Sequence, residues 1–218
     1  MPARIFVIAG VNGAGKSSIG GAALLDRKLP YFNPDLAARA LRGRNPGMGV
    51  EAANAHAWEA GRQGLERAPR DGSNFAFETT LGANTIPDML LASARAGAQV
   101  HVWYAGLASP ELHLQRVKAR VAAGGHDIPE HKIRERYVGS RANLIRLLPR
   151  LASLRVYDNS AENDPKAGKP PQPLLLLHMQ AAGIVSHIPL DRVPQWAKPI
   201  LASAFEAAPT GPRSTRGR

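Results

Sequence analysis

Apolar positions in this chain fall into short unbroken runs, separated by stretches with the 3.6-residue spacing of an amphipathic helix. Arg4 to Gly10 is β-branched and apolar throughout, as a strand buried on both faces requires. Helical spacing follows from Ser17 to Lys28, and Leu29 to Asn33 reads as a short second strand. Asn33, Pro34 and Asp35 form an N-cap and first turn opening a helix over Leu36 to Leu41, which Asn45-Pro46-Gly47 ends. The pattern then predicts a helix over Val50 to Arg67, taken to end short of Pro69, and a third strand over Phe75 to Thr80. A helix over Thr85 to Ala96 closed by Gly97 and a fourth strand over Gln99 to Leu107 come next. Ser109-Pro110-Glu111 starts a helix reaching Ala123, Gly124-Gly125 is a hinge, and Pro129 starts a helix reaching Leu148. Arg155 to Asp158 is a fifth strand, and Asp164 to Pro173 a surface loop. Leu174 to Met179 and Ile184 to Ile188 pair as a hairpin around Ala182-Gly183, and Pro194 to Phe205 is a final helix.

Strands alternating with helices of this length call for right-handed βαβ units, hence an α/β fold with a mostly parallel sheet covered by helices. The 218 residues suit one domain, expected over 1–206, with a helical lid over 109–148 and the C-terminal hairpin attached. Residues 207–218, rich in Pro, Gly, Ser and Thr and carrying Arg213, Arg216 and Arg218, read as a disordered basic tail.

Composition narrows the chemistry. With 44% hydrophobic and 21% charged residues the chain is globular rather than fibrous or wholly disordered. No cysteine occurs, which excludes disulfides, thiolate metal sites and a cysteine nucleophile and fits a reducing compartment. Ile5 to Ala9 is too short for a secretory signal and no stretch is long enough to span a bilayer, so a cytoplasmic location and no membrane partner are expected. The formal charge of +11 draws in phosphates, nucleic acid or acidic proteins without choosing among them.

The strongest motif is Gly10-Val11-Asn12-Gly13-Ala14-Gly15-Lys16-Ser17, a match to G-x-x-x-x-G-K-[ST] lying between a predicted strand and a predicted helix. In such a loop, backbone N–H groups converge on the phosphates of a nucleotide and the helix N-terminus adds a positive dipole end. Lys16 is expected to reach the β- and γ-phosphates, Ser17 to place its hydroxyl on Mg²⁺, and Ser18 to follow it in the nucleotide-binding turn.

Joined to Asn33-Pro34-Asp35, Glu78-Thr79-Thr80, Gly125-His126-Asp127-Ile128-Pro129 and Asp158-Asn159-Ser160, the phosphate loop gives a sequence that resembles the zeta-toxin family of P-loop kinases over Ile5 to Ser160. The resemblance implies a P-loop kinase fold, ATP or GTP with Mg²⁺ as cofactors, a UDP-amino sugar such as UDP-N-acetylglucosamine as acceptor, and a small antitoxin protein as partner. It places the general base at Asp35, which as a first-turn carboxylate also suits the helix dipole. It assigns acceptor contacts to Glu78 and Thr80, and Asn33 and Arg136 are expected to bind the acceptor beside them. Period-two alternation puts Glu78 and Thr80 on one face at the C-terminal end of their strand, the edge where open α/β sheets hold ligands.

Phosphoryl transfer also needs positive charge on the γ-phosphate. Arg116 and Arg120 share a helix face, and Arg134, Arg136 and Arg141 lie beyond the glycine hinge; position relative to the family's arginine pair selects Arg120 and Arg134 as catalytic. A basic helix face is equally what a solvated surface looks like. Asn159 is expected to line the nucleotide pocket or to serve in a turn. No strand ends in a Walker-B aspartate, since Gln99 to Leu107 has no acid, so the Mg²⁺ carboxylate is unassigned. His101, His113, His126, His131, His178 and His187 lack zinc-site spacing, and Trp103, Tyr104 and Trp196 read as packing residues. Two other functions share these features: a kinase for another metabolite or an antibiotic, and a nucleotide-gated module binding nucleic acid or a protein.

Overall fold

The computed structural model describes residues 1–17, 19–20, 31–161 and 172–208. A seven-stranded sheet runs through them in the order β2-β3-β1-β4-β5-β6-β7. Its strands are β1 (Arg4–Ala9), β2 (Tyr31–Phe32), β3 (Phe75–Thr79), β4 (Gln99–Gly106), β5 (Ser153–Asp158), β6 (Leu174–Gln180) and β7 (Gly183–His187). The strands from β2 to β5 are parallel to their neighbours, and β6 and β7 add an antiparallel hairpin to the β5 edge. The helices are α1 (Pro34–Arg44), α2 (Val50–Asp71), α3 (Thr85–Arg95), α4 (Pro110–Ala122), α5 (Glu130–Leu147) and α6 (Lys198–Ala207).

β1 is central because it is apolar on both sides. Ile5, Val7 and Ala9 join Leu65 of α2, Leu90 of α3, Leu144 and Leu147 of α5 and Ile200 of α6 in the larger core. Phe6 and Ile8 pack on the opposite face with Ala76, Trp103, Ala105 and Ile19. Trp103, Tyr104 and Trp196 are all buried, as expected of packing residues. None of the described helices is long and apolar enough to cross a membrane.

Several boundaries differ from the sequence reading. α1 continues past Leu41 to Arg44, because Asn45 is its C-cap. α2 runs through Pro69 to a left-handed C-cap at Gly72 with φ 62°, so a proline near the helix end is tolerated where the sequence suggests an earlier stop. α6 starts at Lys198 and includes Ala207, the residue at which the tail was expected to begin. Residues 21–28 of the expected first helix, residues 29–30 of the expected second strand, Ser18, much of the 164–173 loop and the basic arginines of the tail lie outside the described residues.

α5 is core rather than a detached lid. Ile133, Leu144 and Leu147 are fully buried on it, each such side chain contributing about 1.5–3 kcal/mol by leaving water. Between Val117 of α4 and Ile133 of α5 no residue is buried, and Gly124 turns the chain there with φ 85°.

Candidate active site

The phosphate loop leaves β1 through Gly10, whose φ of 139° and close approach to β4 both demand glycine: a Cβ there would lie 2.2 Å from the Ala105 carbonyl oxygen. Gly10 N–H donates to the Thr79 carbonyl at 3.2 Å, tying the loop to β3. Side chains hold it from three further elements. His113 of α4 places Nδ1 2.9 Å from the Asn12 carbonyl, Arg136 of α5 donates from Nη1 to Asn12 Oδ1 at 2.8 Å, and Asn159 donates from Nδ2 to the Ala14 carbonyl at 2.9 Å. Gly15, with φ 79°, is the cradle for Asn159, since a Cβ would sit 2.2 Å from its Nδ2. Asn159 is therefore a buried prop beneath the loop, following a β5 whose last residue, Asp158, accepts from Trp196 Nε1 at 3.3 Å.

Lys16 opens the helix after the loop and is buried. Its Nζ makes two long contacts, 3.5 Å to the Val11 carbonyl and 3.5 Å to Glu78 Oε1. Burial lowers its pKa, against the opposing pull of Glu78 and Asp35. An ammonium so lightly held is under-satisfied, and a ligand with anionic oxygens supplies what it lacks. The loop's positive-φ glycines and this lysine fit a nucleotide triphosphate tail, and Ser17, exposed beside them, fits a metal-ligating hydroxyl.

Asn33 organises the carboxylate side. Its Oδ1 caps α1 by accepting from Asp35 N–H at 2.9 Å and Leu36 N–H at 3.1 Å, while its Nδ2 donates to Glu78 Oε2 at 3.0 Å. One asparagine thus fixes both the first turn that carries Asp35 and the carboxylate that faces Lys16. Among the described residues no group of His, Asp and Glu is arranged to hold a metal ion by itself.

These groups meet at the waist of a two-lobed cleft. Lys16, Asn33, Asp35, Asn54, Glu78, Arg120 and His126 line both lobes. The lobe of about 930 Å³ is bounded by Gly13, Gly15 and Ser17 of the phosphate loop and by Arg39, Arg42 and Arg116. The other, of about 530 Å³, is bounded by Phe32, Trp58, Phe77, Thr80, Ile86 and Arg136. Arg120 donates from Nη2 to the His126 carbonyl at 2.8 Å, and its Nε is buried without a hydrogen-bond partner among the described residues. Arg134, in contrast, lines neither lobe: it is paired on the outer surface with Glu111 at 2.8 Å and Glu130 at 2.8 Å.

No protein-family model matches the chain. An uncharacterized protein of Haemophilus influenzae is 31% identical over 133 residues, which span 59% of this chain and 88% of that protein. The two belong to one family. Among solved structures, a chain of the AvrRxo1-ORF1:AvrRxo1-ORF2 complex with sulphate ions superposes with a TM-score of 0.60 at 16% identity, over 98% of this chain and 66% of that one. The same complex crystallised with ATP gives 0.58 at 16% identity, over 100% of this chain and 66% of that one. A chain of the PezAT chromosomal toxin–antitoxin system of Streptococcus pneumoniae gives 0.53 at 15% identity, over 94% of this chain and 79% of that one. The chain spans just under two thirds of the AvrRxo1 complex chain it matches. These likenesses are of fold, and the fold they share is the α/β architecture with a mostly parallel, helix-covered sheet that the sequence pointed to.

Within this family fold, three features escaped the sequence reading. His113, set aside there as a non-ligand, is buried under the phosphate loop, and burial chiefly pushes its pKa down to about 4. The Asn12 carbonyl opposes that shift, and the charges of Lys16, Arg116 and Arg141 add to it. Held neutral, the ring must donate its Nδ1 proton to that carbonyl. The loop after β3 is clamped from α5: Asn143 Nδ2 donates to the Leu81 carbonyl at 2.8 Å and the Ala83 carbonyl at 3.3 Å, and Ser140 Oγ to the Thr80 carbonyl at 2.6 Å. Behind Ser140 stands the buried Tyr104 hydroxyl at 3.0 Å, whose pKa burial pushes up to about 12. The third feature is Trp58, on the wall of the smaller lobe.

Proposed function

We propose that this chain is a cytoplasmic P-loop phosphotransferase that moves the γ-phosphate of ATP or GTP onto a hydroxyl of a UDP-amino sugar, with UDP-N-acetylglucosamine as the acceptor to test first. The observation that carries the reading is the convergence of Lys16, Asp35 and Glu78 at the waist between a lobe bounded by the phosphate loop and a separate lobe able to hold an acceptor. A donor site and an acceptor site that share two carboxylates and an ammonium are what an in-line transfer between two substrates needs. The likeness of fold to a complex crystallised with ATP and to a toxin–antitoxin system supports the same assignment and motivates an antitoxin as protein partner.

In this reading the amides of Gly13, Gly15, Lys16 and Ser17 hold the β- and γ-phosphates, with Gly10, Val11, Asn12 and Ala14 shaping the loop and Asn159 supporting it. Ser17 would hold Mg²⁺ through its hydroxyl, and the ion when bound would neutralise charge on the phosphate tail. Asn33, Glu78 and Thr80 orient the acceptor. Asp35 takes the proton of the acceptor hydroxyl as that oxygen bonds to the γ-phosphorus; the bond from phosphorus to the β–γ bridging oxygen breaks, and the diphosphate leaves with its electron pair. Lys16, Arg120 and Arg136 balance the charge that spreads over the transferring group.

Incubation of the purified chain with Mg²⁺, ATP and UDP-N-acetylglucosamine is expected to give ADP and a phosphorylated sugar nucleotide. Turnover with a different alcohol in a panel, but none with this one, overturns the acceptor; no triphosphate binding by calorimetry overturns the whole reading.

A further inference from the structure

Asn12 stands third in the phosphate-loop motif, at a position where the motif leaves the side chain free and gives a task only to the backbone. It does not bound the larger lobe with Gly13, Gly15 and Ser17; it lines only the smaller one, as Arg136 does. The residue is buried, and a buried amide needs partners. Its Oδ1 accepts from Arg136 Nη1 at 2.8 Å, while its carbonyl accepts from His113. Gly82 meets the same arginine at the stem. A Cβ on Gly82 would lie 2.4 Å from Arg136 Cγ, 3.0 Å from its Cβ and 3.3 Å from its Cα, atoms too near the backbone to swing aside as a side-chain tip can. Gly82 does not hold a positive φ, so its backbone gives no reason for glycine; the space that Arg136 fills does.

Held in this way, the guanidinium spends one donor, and its Nε and Nη2 make no hydrogen bond among the described residues. An arginine that only docked α5 on the loop would be redundant, because Ile133, Leu144 and Leu147 already bury that helix. We propose that Asn12 and Gly82 are positioning residues, which together fix Arg136 so that its unused Nε and Nη2 edge meets an oxygen at the acceptor end of the transfer. Asn12 sets the tip and Gly82 makes room for the stem. The identity of that oxygen rests on the phosphotransferase reading, but the pinning of Arg136 can be measured without turnover.

The Nε–Hε resonance of Arg136, assigned by its loss in Arg136→Lys, reports that pinning through its relaxation. Asn12→Ala removes the amide but keeps the carbonyl that His113 uses, and Gly82→Ala adds the Cβ that Arg136 Cγ excludes. In each variant the resonance is expected to lose order, while calorimetric affinity for a Mg²⁺-bound non-hydrolysable ATP analogue stays within about threefold, because neither side chain serves the phosphates. With ATP and UDP-N-acetylglucosamine, each change should lower kcat by about 10–10²-fold, the usual cost of a displaced catalytic group. In an Arg136→Ala background the same changes should cost less than about twofold, since the group they aim is gone. The full loss in that background means that Asn12 and Gly82 act on the loop itself, and overturns the proposal. An Arg136 resonance as ordered in Asn12→Ala as in the wild type overturns it too, and so does lost order with kcat unchanged. Should Gly82→Ala disturb the fold, Asn12→Ala decides alone. If the wild-type chain phosphorylates no acceptor, the kinase reading falls, while the order of Arg136 still decides whether Asn12 and Gly82 pin it.

Discussion

At the scale of single residues, two of the α5 arginines separate what sequence can and cannot supply. Arg134 and Arg136 are two positions apart on one helix, about 200° in phase, so only one of them can face the cleft. Motif position favours Arg134 as the catalytic one; the structure pairs it with Glu111 and Glu130 in solvent and sends Arg136 to Asn12. The deciding signal was in the chain, since Ile133, Ser140, Asn143, Leu144 and Leu147 mark the buried stripe of α5 and Arg136 falls on it three residues after Ile133. Arg136→Gln is accordingly expected to lower kcat by about 10²–10³, the usual cost of losing one preorganised charge at a reacting centre. Arg134→Gln breaks only exposed, solvent-screened ion pairs and should leave steady-state rates within a few-fold. Equal losses in the two variants would return Arg134 to the site. Asp35→Asn tests the base: kcat should fall by about 10²–10⁴ while calorimetric affinity for the Mg²⁺–triphosphate stays within a few-fold.

Among the elements, α5 matters most, because it connects the core to the acceptor lobe. Leu81 holds φ 54°, an unusual angle for a side chain of its size, and Asn143 and Ser140 bind the carbonyls on either side of it. Gly139 and Gly82 let the helix and the loop touch: a Cβ on Gly139 would lie 2.8 Å from the Gly82 carbonyl oxygen, and one on Gly82 2.4 Å from Arg136 Cγ. Removing the Asn143 amide leaves buried carbonyls unsatisfied, costing about 1–3 kcal/mol. For a chain of this size each kcal/mol is about 2–4 °C, so Asn143→Ala should melt roughly 2–12 °C lower by calorimetry and raise the acceptor KM as the loop slackens. An unchanged melting temperature would mean that water replaces the amide. The strands, the helix starts at Asn33 and Ser109 and the turn after α3 were all legible, because each depends on local chemistry: an apolar run, a capping side chain, a glycine. The clamp was not, since Asn143 and Leu81 are far apart in sequence and nothing local couples them. The same applies to the lid, which the glycine hinge suggested over 109–148. Between the buried Val117 and Ile133 no residue of 118–132 is buried, and Arg120 is the arginine of that stretch that lines the cleft.

For the molecule as a whole, acid is the revealing variable, because one buried histidine connects the phosphate loop to global stability. The chain already carries a formal +11, and each proton taken up below neutrality adds to its self-repulsion. His113 differs between the two states: its pKa is near 6.5 when unfolded and about 4 when buried beside Lys16, Arg116 and Arg141. Between those values the unfolded chain binds more protons than the folded one, so stability is complete above pH 6.5 and drains away as the pH falls toward 4. The full shift corresponds to something on the order of 3 kcal/mol. Asparagine at this position keeps a donor for the Asn12 carbonyl but cannot take a proton. Urea midpoints measured at pH 7.5 and pH 5.0 should therefore fall steeply for the wild-type chain and with a markedly shallower slope for His113→Asn, whatever the variant loses at neutral pH. Parallel slopes would mean that His113 is protonated in the fold, and that the Asn12 carbonyl, by accepting from the charged ring, outweighs burial. Because that carbonyl belongs to the phosphate loop, a bound triphosphate should raise the wild-type urea midpoint at both pH values by stabilising the folded loop, while the slope between them stays as steep for as long as the ring is neutral in the fold.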